Sequence, residues 1–388
     1  MKIVADENIP YVADGCAEWG EVSLFSGRTI TRATVADADC LFVRSVTPVS
    51  RELLDGSSVR FVGTATIGTD HVDIPWLQSN GIGFASAPGS NATSVAEYVV
   101  AALLCLAVRH GFTLSGRTMG IVGVGNVGTR VTRKAEALGL RILKCDPPRA
   151  DAEQATGFVP LEQILAESDI VSIHTPLTRD GAYPTWHMAD SRFFHALRKG
   201  AIFINTARGA IHDTGALVQA IDEGRVSHAV LDVWEHEPGV EVDLLARVSL
   251  ASPHVAGYSF DGKVAGTQLV VNAARQYFRL AGHWTPAELL PAPDVAKITV
   301  DAKTTASQEA LIWNAVRQLH DSMVDDAAMR QILTLPLHDR PAHFDQLRKN
   351  YRIRREFAGT AILAQHLDEK SVAAFSKLGF RVHASERG

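Results

Sequence analysis

The chain has 388 residues, with 38 Lys plus Arg against 43 Asp plus Glu and a formal net charge of −5 at pH 7. Its 46% hydrophobic and 21% charged residues describe a folded globular chain, long enough to exceed a single core and to hold more than one domain. The acidic balance gives no electrostatic case for nucleic acid or an anionic membrane as a partner.

Along the first ninety residues, short apolar runs alternate with polar helical stretches. The strand candidates are Ile3 to Ala5, Val22 to Phe25, Leu41 to Val43, Phe61 to Gly63 and Ile82 to Phe84, which predicts a small parallel sheet covered by helices. The opening residues Met1 to Glu7 turn acidic at once, unlike a signal peptide. Ser94-Val95-Ala96-Glu97 reads as a capping box opening a helix through Val108. Its apolar run, Tyr98 to Val108, falls short of the ~18 residues needed to span a bilayer, and a core helix is expected. Cys16, Cys40, Cys105 and Cys145 lie far apart in apolar surroundings with no C-x-x-C, so reduced core thiols, no metal and a cytoplasmic location are expected.

The next element is the glycine turn Gly123-Val124-Gly125-Asn126-Val127-Gly128. Thr118 to Val122 leads in as a buried strand, and Val127, Val131, Ala135 and Leu138 follow at helical spacing. Leu140 to Cys145 then reads as a second strand, ending at Asp146. This context fits dinucleotide binding. Gly123 permits the turn, Gly125 admits a pyrophosphate, Gly128 lets helix and strand approach, and the helix N-terminus faces the phosphates. A carboxylate at Asp146 can bond the adenine ribose and repel a 2′-phosphate, so NAD is favoured over NADP, with Arg149 close enough to offset part of that repulsion.

Further strands are predicted at Ile170 to His174, Ala201 to Asn205, Ala229 to Asp232 and Val248 to Ala251, apolar enough for central parallel strands. Arg208, Glu237 and His254 each sit just beyond one of them, where ligands of doubly wound sheets bind. Any one of them alone is ordinary; together beside a cofactor they suggest acid/base chemistry on an anionic substrate. Three prolines between Pro286 and Pro293 mark a linker. A strand (Lys297 to Val300), a long helix (about Ser307 to Leu333), a basic stretch and a closing strand (Phe380 to His383) then form a third region. Ala310, Leu311, Trp313, Ala315, Val316 and Leu319 on that helix predict an exposed apolar face and a homodimer.

The stretches Phe203 to Gly209, Ala229 to Glu235, Glu237-Pro238 and Ser252 to Gly257 resemble the D-isomer-specific 2-hydroxyacid dehydrogenases, from the N-terminus to about Gly282. The resemblance implies a Rossmann-type NAD-binding domain (95–265) inserted in a smaller flavodoxin-like substrate domain (1–94 and 266–285), with an α+β dimerisation domain at 286–388. It implies that Arg208 binds the substrate carboxylate, His254 is the acid/base and Glu237 pairs with it. Asn126, Val127, Thr175, Ala207, Asp232 and Gly257 match cofactor positions beside the glycines and Asp146, and Ser45, Thr66 and Tyr258 match substrate positions. Within the family, Cys145 to Arg149, Tyr258-Ser259, the proline-rich linker and Tyr351 to Phe357 (with Arg352 where a proline is expected) resemble a branch acting on a phosphorylated 2-hydroxy acid. Phosphoglycerate or broad 2-hydroxyacid dehydrogenases, and NAD-sensing corepressors of the same fold, are the alternatives. Arg348, Lys349, Arg352, Arg354 and Arg355 form a basic cluster. It is either a solvated face or the source of an arginine for the substrate's phosphate.

Overall fold

The computed structural model describes residues 1–153, 157–305 and 307–384, which form two compact units, 1–92 with 259–292 and 93–258 with 293–388. In the first unit, β1 (Lys2–Asp6), β2 (Glu21–Phe25), β3 (Cys40–Val43), β4 (Phe61–Thr64) and β5 (Gly83–Ala85) make a parallel sheet of order β2-β1-β3-β4-β5. Every residue of β3 and β4 is buried, as largely apolar central strands require, with Thr64 the one polar side chain among them. One face is covered by the helix Phe260–Tyr277, whose Val270, Val271 and Ala274 pack with Ile3, Phe42 and Phe61. Ser259 caps it, accepting from Gly262 N at 2.9 Å.

The second unit holds β6 (Thr118–Val122), β7 (Arg141–Cys145), β8 (Ile170–Ile173), β9 (Ala201–Asn205), β10 (Val226–Leu231) and β11 (Leu250–Ala251). They are parallel throughout, in the order β11-β10-β9-β8-β6-β7. The order reverses at β6, which opens a crevice beyond the carboxyl ends of β6 and β8. The helix Asn126–Ala137 lies so close to the turn before it that a Cβ on Gly128 would stand 2.0 Å from the Gly123 carbonyl oxygen.

The helix Ala92–His110 corrects two expectations. It starts two residues before Ser94, so Ser94 and Glu97 do not form a capping box; both are buried and used in tertiary contacts instead. At 19 residues and a mean hydropathy of 1.6 in its most apolar stretch, it is also long and apolar enough to cross a membrane, unlike the shorter run read from sequence. That stretch is 83% buried inside the protein, and Tyr98 to Ala107 belong to its largest apolar core.

In the C-terminal segment, β12 (Lys297–Asp301), β13 (Ala361–Gln365) and β14 (Arg381–Ala384) are parallel neighbours, so their connections are helical crossovers. The long helix expected from Ser307 to Leu333 is instead two helices, Gln308–Leu319 and Ser322–Arg330, and a 3₁₀ turn. Asp321 makes the break, its carboxylate accepting from Met323 N at 3.0 Å. Most of the apolar face predicted to be exposed is internal: Leu311, Trp313, Ala315 and Val316 are buried in the same core as Tyr98, Phe357 and Phe375, while Ala310 and Leu319 are half-buried. Those buried residues pack within the chain, and removal of residues 293–388 would strip that core.

Two buried histidines make stability acid-sensitive. Burial pushes His212 and His320 down from 6.5 to about 4 each, with the charges of Arg354 and Arg352 adding to the effect at His320. The folded protein keeps both neutral while the unfolded chain protonates below 6.5, so stability is lost as pH falls from about 6.5 toward 4. The slope is up to about 1.4 kcal/mol per pH unit for each histidine. The melting temperature is therefore expected to fall below pH 6.5, and His212→Gln to shallow that fall by one proton. A flat profile from pH 8 to 5 contradicts this.

Candidate active site

β6 ends at Val122, and Gly123 turns the chain with φ 86°, a left-handed conformation natural to glycine. Gly125 precedes the helix Asn126–Ala137, and no side chain caps that helix, so the first-turn amides of Asn126, Val127 and Gly128 remain for a ligand. An added Cβ on Gly125 would meet no heavy atom within 4 Å. It faces an open cleft of about 610 Å³ lined by Val124, Asn126, Thr129, Arg130, Arg133 and Arg149. Thr175, just beyond β8, has a buried hydroxyl with no hydrogen-bond partner. An uncapped helix start, open space over a glycine and an orphaned hydroxyl fit the phosphates of a dinucleotide.

Asp146 follows β7, and its carboxylate accepts from Val124 N at 2.7 Å and from Arg149 N at 3.2 Å. The Arg149 side chain is committed elsewhere: it donates to both oxygens of Glu153, at 2.7 and 3.0 Å, and to the Val124 carbonyl. The positive charge expected to offset part of Asp146's is thus paired with Glu153.

Arg208, Glu237 and His254 all lie at the carboxyl edge of β9, β10 and β11. His254 Nδ1 and Glu237 Oε2 are 2.8 Å apart, while Glu237 Oε1 accepts from Trp234 N at 2.8 Å. Burial pushes the Glu237 carboxyl up, but the hydrogen bonds from His254 and Trp234 and the nearby charge of Arg348 more than offset this, leaving its pKa below the ordinary value. The Arg208 turn packs on the same loop, since a Cβ on Gly209 would stand 2.0 Å from Trp234 C and O. Asn205 holds that turn, donating to Arg208 O at 2.9 Å and accepting from Ala207 N at 3.0 Å.

His254 itself has φ 57°, a conformation that a non-glycine residue keeps only when its surroundings fix it. Asp232 does so. Its backbone carbonyl accepts from His254 N at 2.7 Å, and its 1%-exposed carboxylate accepts from Val255 N, Ala256 N and Ser252 Oγ at 2.7, 2.9 and 2.6 Å. Burial raises the Asp232 pKa against the pull of His254 and those donors. Both oxygens of this expected cofactor residue are therefore engaged within the protein. Gly257 ends the same turn.

Tyr258 follows, its ring edge-on to Tyr351 at 5.9 Å. In the first unit, Ser45 is exposed just beyond β3, and Thr66, beyond β4, donates to Gly68 O at 2.9 Å. Of the basic cluster, Arg348 lies near enough to Glu237 to influence its ionisation. Arg354 is buried, its guanidinium donating to Ser94 Oγ and to the Ala256 carbonyl. Asn205, Trp234 and Ser252 were not singled out from sequence, whereas Arg348 was, as a member of the basic cluster. The first three precede or follow catalytic candidates in the motif stretches, and that adjacency was the available signal.

A model of the D-isomer specific 2-hydroxyacid dehydrogenase NAD binding domain matches residues 106–256, and one described only as a domain of unknown function matches 289–379. Erythronate-4-phosphate dehydrogenases from Shigella boydii serotype 4 and Escherichia coli O9:H4 are each 45% identical over 388 residues, all of both chains. Among solved structures, the TT0316 protein from Thermus thermophilus is 27% identical with a TM-score of 0.61, covering 73% of this chain and 99% of that one. A D-lactate dehydrogenase from Aquifex aeolicus, solved with NAD and lactic acid, shares the fold at 24% identity, TM-score 0.59, over 71% and 95% of the two chains. The chain belongs to the family of the erythronate-4-phosphate dehydrogenases, NAD-dependent enzymes within the D-isomer specific 2-hydroxyacid dehydrogenases.

Proposed function

We propose that the protein oxidises 4-phospho-D-erythronate to 2-oxo-3-hydroxy-4-phosphobutanoate with NAD, a step toward pyridoxine and pyridoxal 5′-phosphate. The observation that carries this is the 2.8 Å pairing of His254 with Glu237 beside the Arg208 turn, in a chain that matches erythronate-4-phosphate dehydrogenases end to end. Arg208 presents a guanidinium fork to the substrate carboxylate. With Nδ1 engaged by Glu237, His254 offers Nε2 to the C2 hydroxyl and takes its proton, and Glu237 orients the ring and steadies the imidazolium. Bound NAD would supply the acceptor for the hydride lost from C2. Gly123, Gly125, Asn126, Val127 and Gly128 would hold its pyrophosphate and Asp146 its adenine ribose. Thr175, Ala207, Asp232 and Gly257 would line the rest, Asp232 through the turn it fixes. Ser45, Thr66 and Tyr258 would bind substrate.

By this reading 1–94 with 266–285 is the substrate domain, 95–265 the nucleotide domain and 286–388 the dimerisation domain of a cytoplasmic homodimer. Support for the dimer comes from Val324, Leu337 and Ile353, exposed by 53, 77 and 68% in the C-terminal segment. Leu337→Asp with Ile353→Asp is expected to halve the mass seen by light scattering, whereas a wild-type monomer overturns the dimer.

NAD reduction assayed with 4-phospho-D-erythronate, 3-phosphoglycerate and D-lactate is expected to favour the first by kcat/KM. Equal or better use of the others favours the alternative dehydrogenases, and no turnover with any favours a sensor. His254→Ala should lower kcat by ~10²–10⁴-fold with NADH affinity little changed. Glu237→Gln removes the charge that favours the imidazolium, so the acid limb of the pH–rate profile should move to lower pH. A fully active His254→Ala enzyme rules out this base.

Asp146→Ala should weaken NADH binding by ~10-fold while raising the NADPH-to-NADH affinity ratio, read by nucleotide fluorescence. An unchanged ratio removes Asp146 from cofactor choice.

A further inference from the structure

The turn carrying His254 is held from a second side, by the C-terminal segment. Arg354 lies in the stretch beyond the helix Arg340–Lys349, and its side chain is 1% exposed. Nη2 donates to Ala256 O at 3.1 Å and to Ser94 Oγ at 2.7 Å, and Ser94 Oγ donates in turn to Ala256 O at 3.2 Å. The positive charge is met by Glu97, also 1% exposed, whose Oε2 is 3.8 Å from Nη1. Glu97 Oε1 accepts from Phe357 N at 3.0 Å and from Lys134 Nζ at 3.4 Å.

Taking a guanidinium and a carboxylate out of water costs several kcal/mol per ion unless the geometry is excellent. Here Arg354 Nε and Nη1, and Glu97 Oε2, are buried without hydrogen-bond partners. Apolar side chains in place of both members of the pair would leave no such unsatisfied groups, so stability alone does not account for this pair, although loss of Arg354 by itself leaves Glu97 with Lys134 as its remaining counter-charge. What only a donor at this point supplies is a fixed Ala256 carbonyl. Asp232 already holds the amides of Val255 and Ala256, so Arg354 and Ser94 complete the grip on a turn that begins with His254 at φ 57°.

We propose that Arg354 is a positioning residue for the dehydrogenase site. By fixing the Ala256 carbonyl it sets the direction in which His254 presents its ring to Glu237 and to substrate. This makes the C-terminal segment part of the catalytic apparatus within one chain, whatever it does between chains. The same stretch touches the far end of the turn, since Tyr351, whose hydroxyl donates to Asp325 at 3.0 Å, packs its ring against Tyr258. Lysine would keep the charge opposite Glu97, but its ammonium ends one bond short of the position of Nη2, the one nitrogen that meets both Ser94 and Ala256. The proposal rests on His254 being the base, so its test includes a measurement that needs no activity.

The experiment compares Arg354→Lys, Arg354→Met and Ser94→Ala with Lys134→Met, which disturbs the same buried charges without reaching the turn. Both Arg354 variants should lower kcat by ~10- to 100-fold with a smaller change in substrate KM, and Ser94→Ala by a few fold. The acid limb of the pH–rate profile should move in the direction that Glu237→Gln moves it. Hydrogen exchange across 252–258 should quicken in the Arg354 variants and not in Lys134→Met, which should lose melting temperature but keep kcat. If only hydrogen exchange responds and the wild type does not turn over phosphoerythronate, the functional reading fails while the grip on the turn stands. The proposal is overturned if the Arg354 variants lose melting temperature but keep kcat, pH profile and exchange. It is equally overturned if Lys134→Met lowers kcat as much, or if the Arg354 variants raise KM for phosphorylated substrate alone, which would make Arg354 a ligand.

Discussion

The candidate site depends on one buried carboxylate. Asp232 accepts from two successive backbone amides and a serine hydroxyl while almost wholly excluded from solvent. Those bonds hold His254 in a left-handed conformation that its Cβ would otherwise resist. The imidazole thereby meets Glu237, which is itself pinned by the Trp234 amide. The Trp234 indole donates to the Ser252 carbonyl at 3.0 Å, tying the loop after β10 to the loop after β11. A histidine and a glutamate on separate loops are thus held at hydrogen-bond distance before any ligand arrives, which is the preorganisation that acid/base catalysis needs.

A second layer stands behind this one and comes from the C-terminal segment. Tyr98 bonds Ser252 Oγ at 2.7 Å, and its ring lies 5.3 Å from that of His320, whose Nε2 is 3.2 Å from Asp325. Residues far apart in the chain, 98, 252, 320 and 325, thus lie in one buried chain of contacts behind the His254 turn, hydrogen bonds at its ends and a ring contact between Tyr98 and His320. Trp313, Phe357 and Phe375 share an apolar core with the helix Ala92–His110. The segment after the proline-rich stretch is built into the nucleotide-binding unit, and its own parallel sheet is an extension of that unit's packing.

Much of this was legible in the residues. The glycine turn between an apolar strand and an apolar-faced helix has few other physical meanings, and the structure places Gly128 where any side chain would collide with the Gly123 carbonyl. Other signals misled because propensity is local. Ser94 and Glu97 have capping-box spacing, yet both are buried and bonded to Arg354 and Phe357, hundreds of residues away. The face of Leu311, Trp313 and Val316 looked like a subunit interface because a sequence cannot say which apolar surface finds a partner in its own chain. The break at Asp321 was hidden in a continuous helical pattern, since one side chain bonding its own backbone decides it.

The sequence by itself determined the alternation of buried parallel strands with helices, the glycine turn and the candidate residues for the chemistry. Each of these follows from side-chain period, glycine geometry or the chemical type of a residue within a short span. Only the tertiary structure decided how His254, Glu237 and Asp232 engage one another and that Arg149 is spent on Glu153. Only it showed that Arg354 is buried against the catalytic turn while Arg348 lies near Glu237. Those outcomes depend on which charges lose water together, and desolvation is set by the packing of segments distant in sequence.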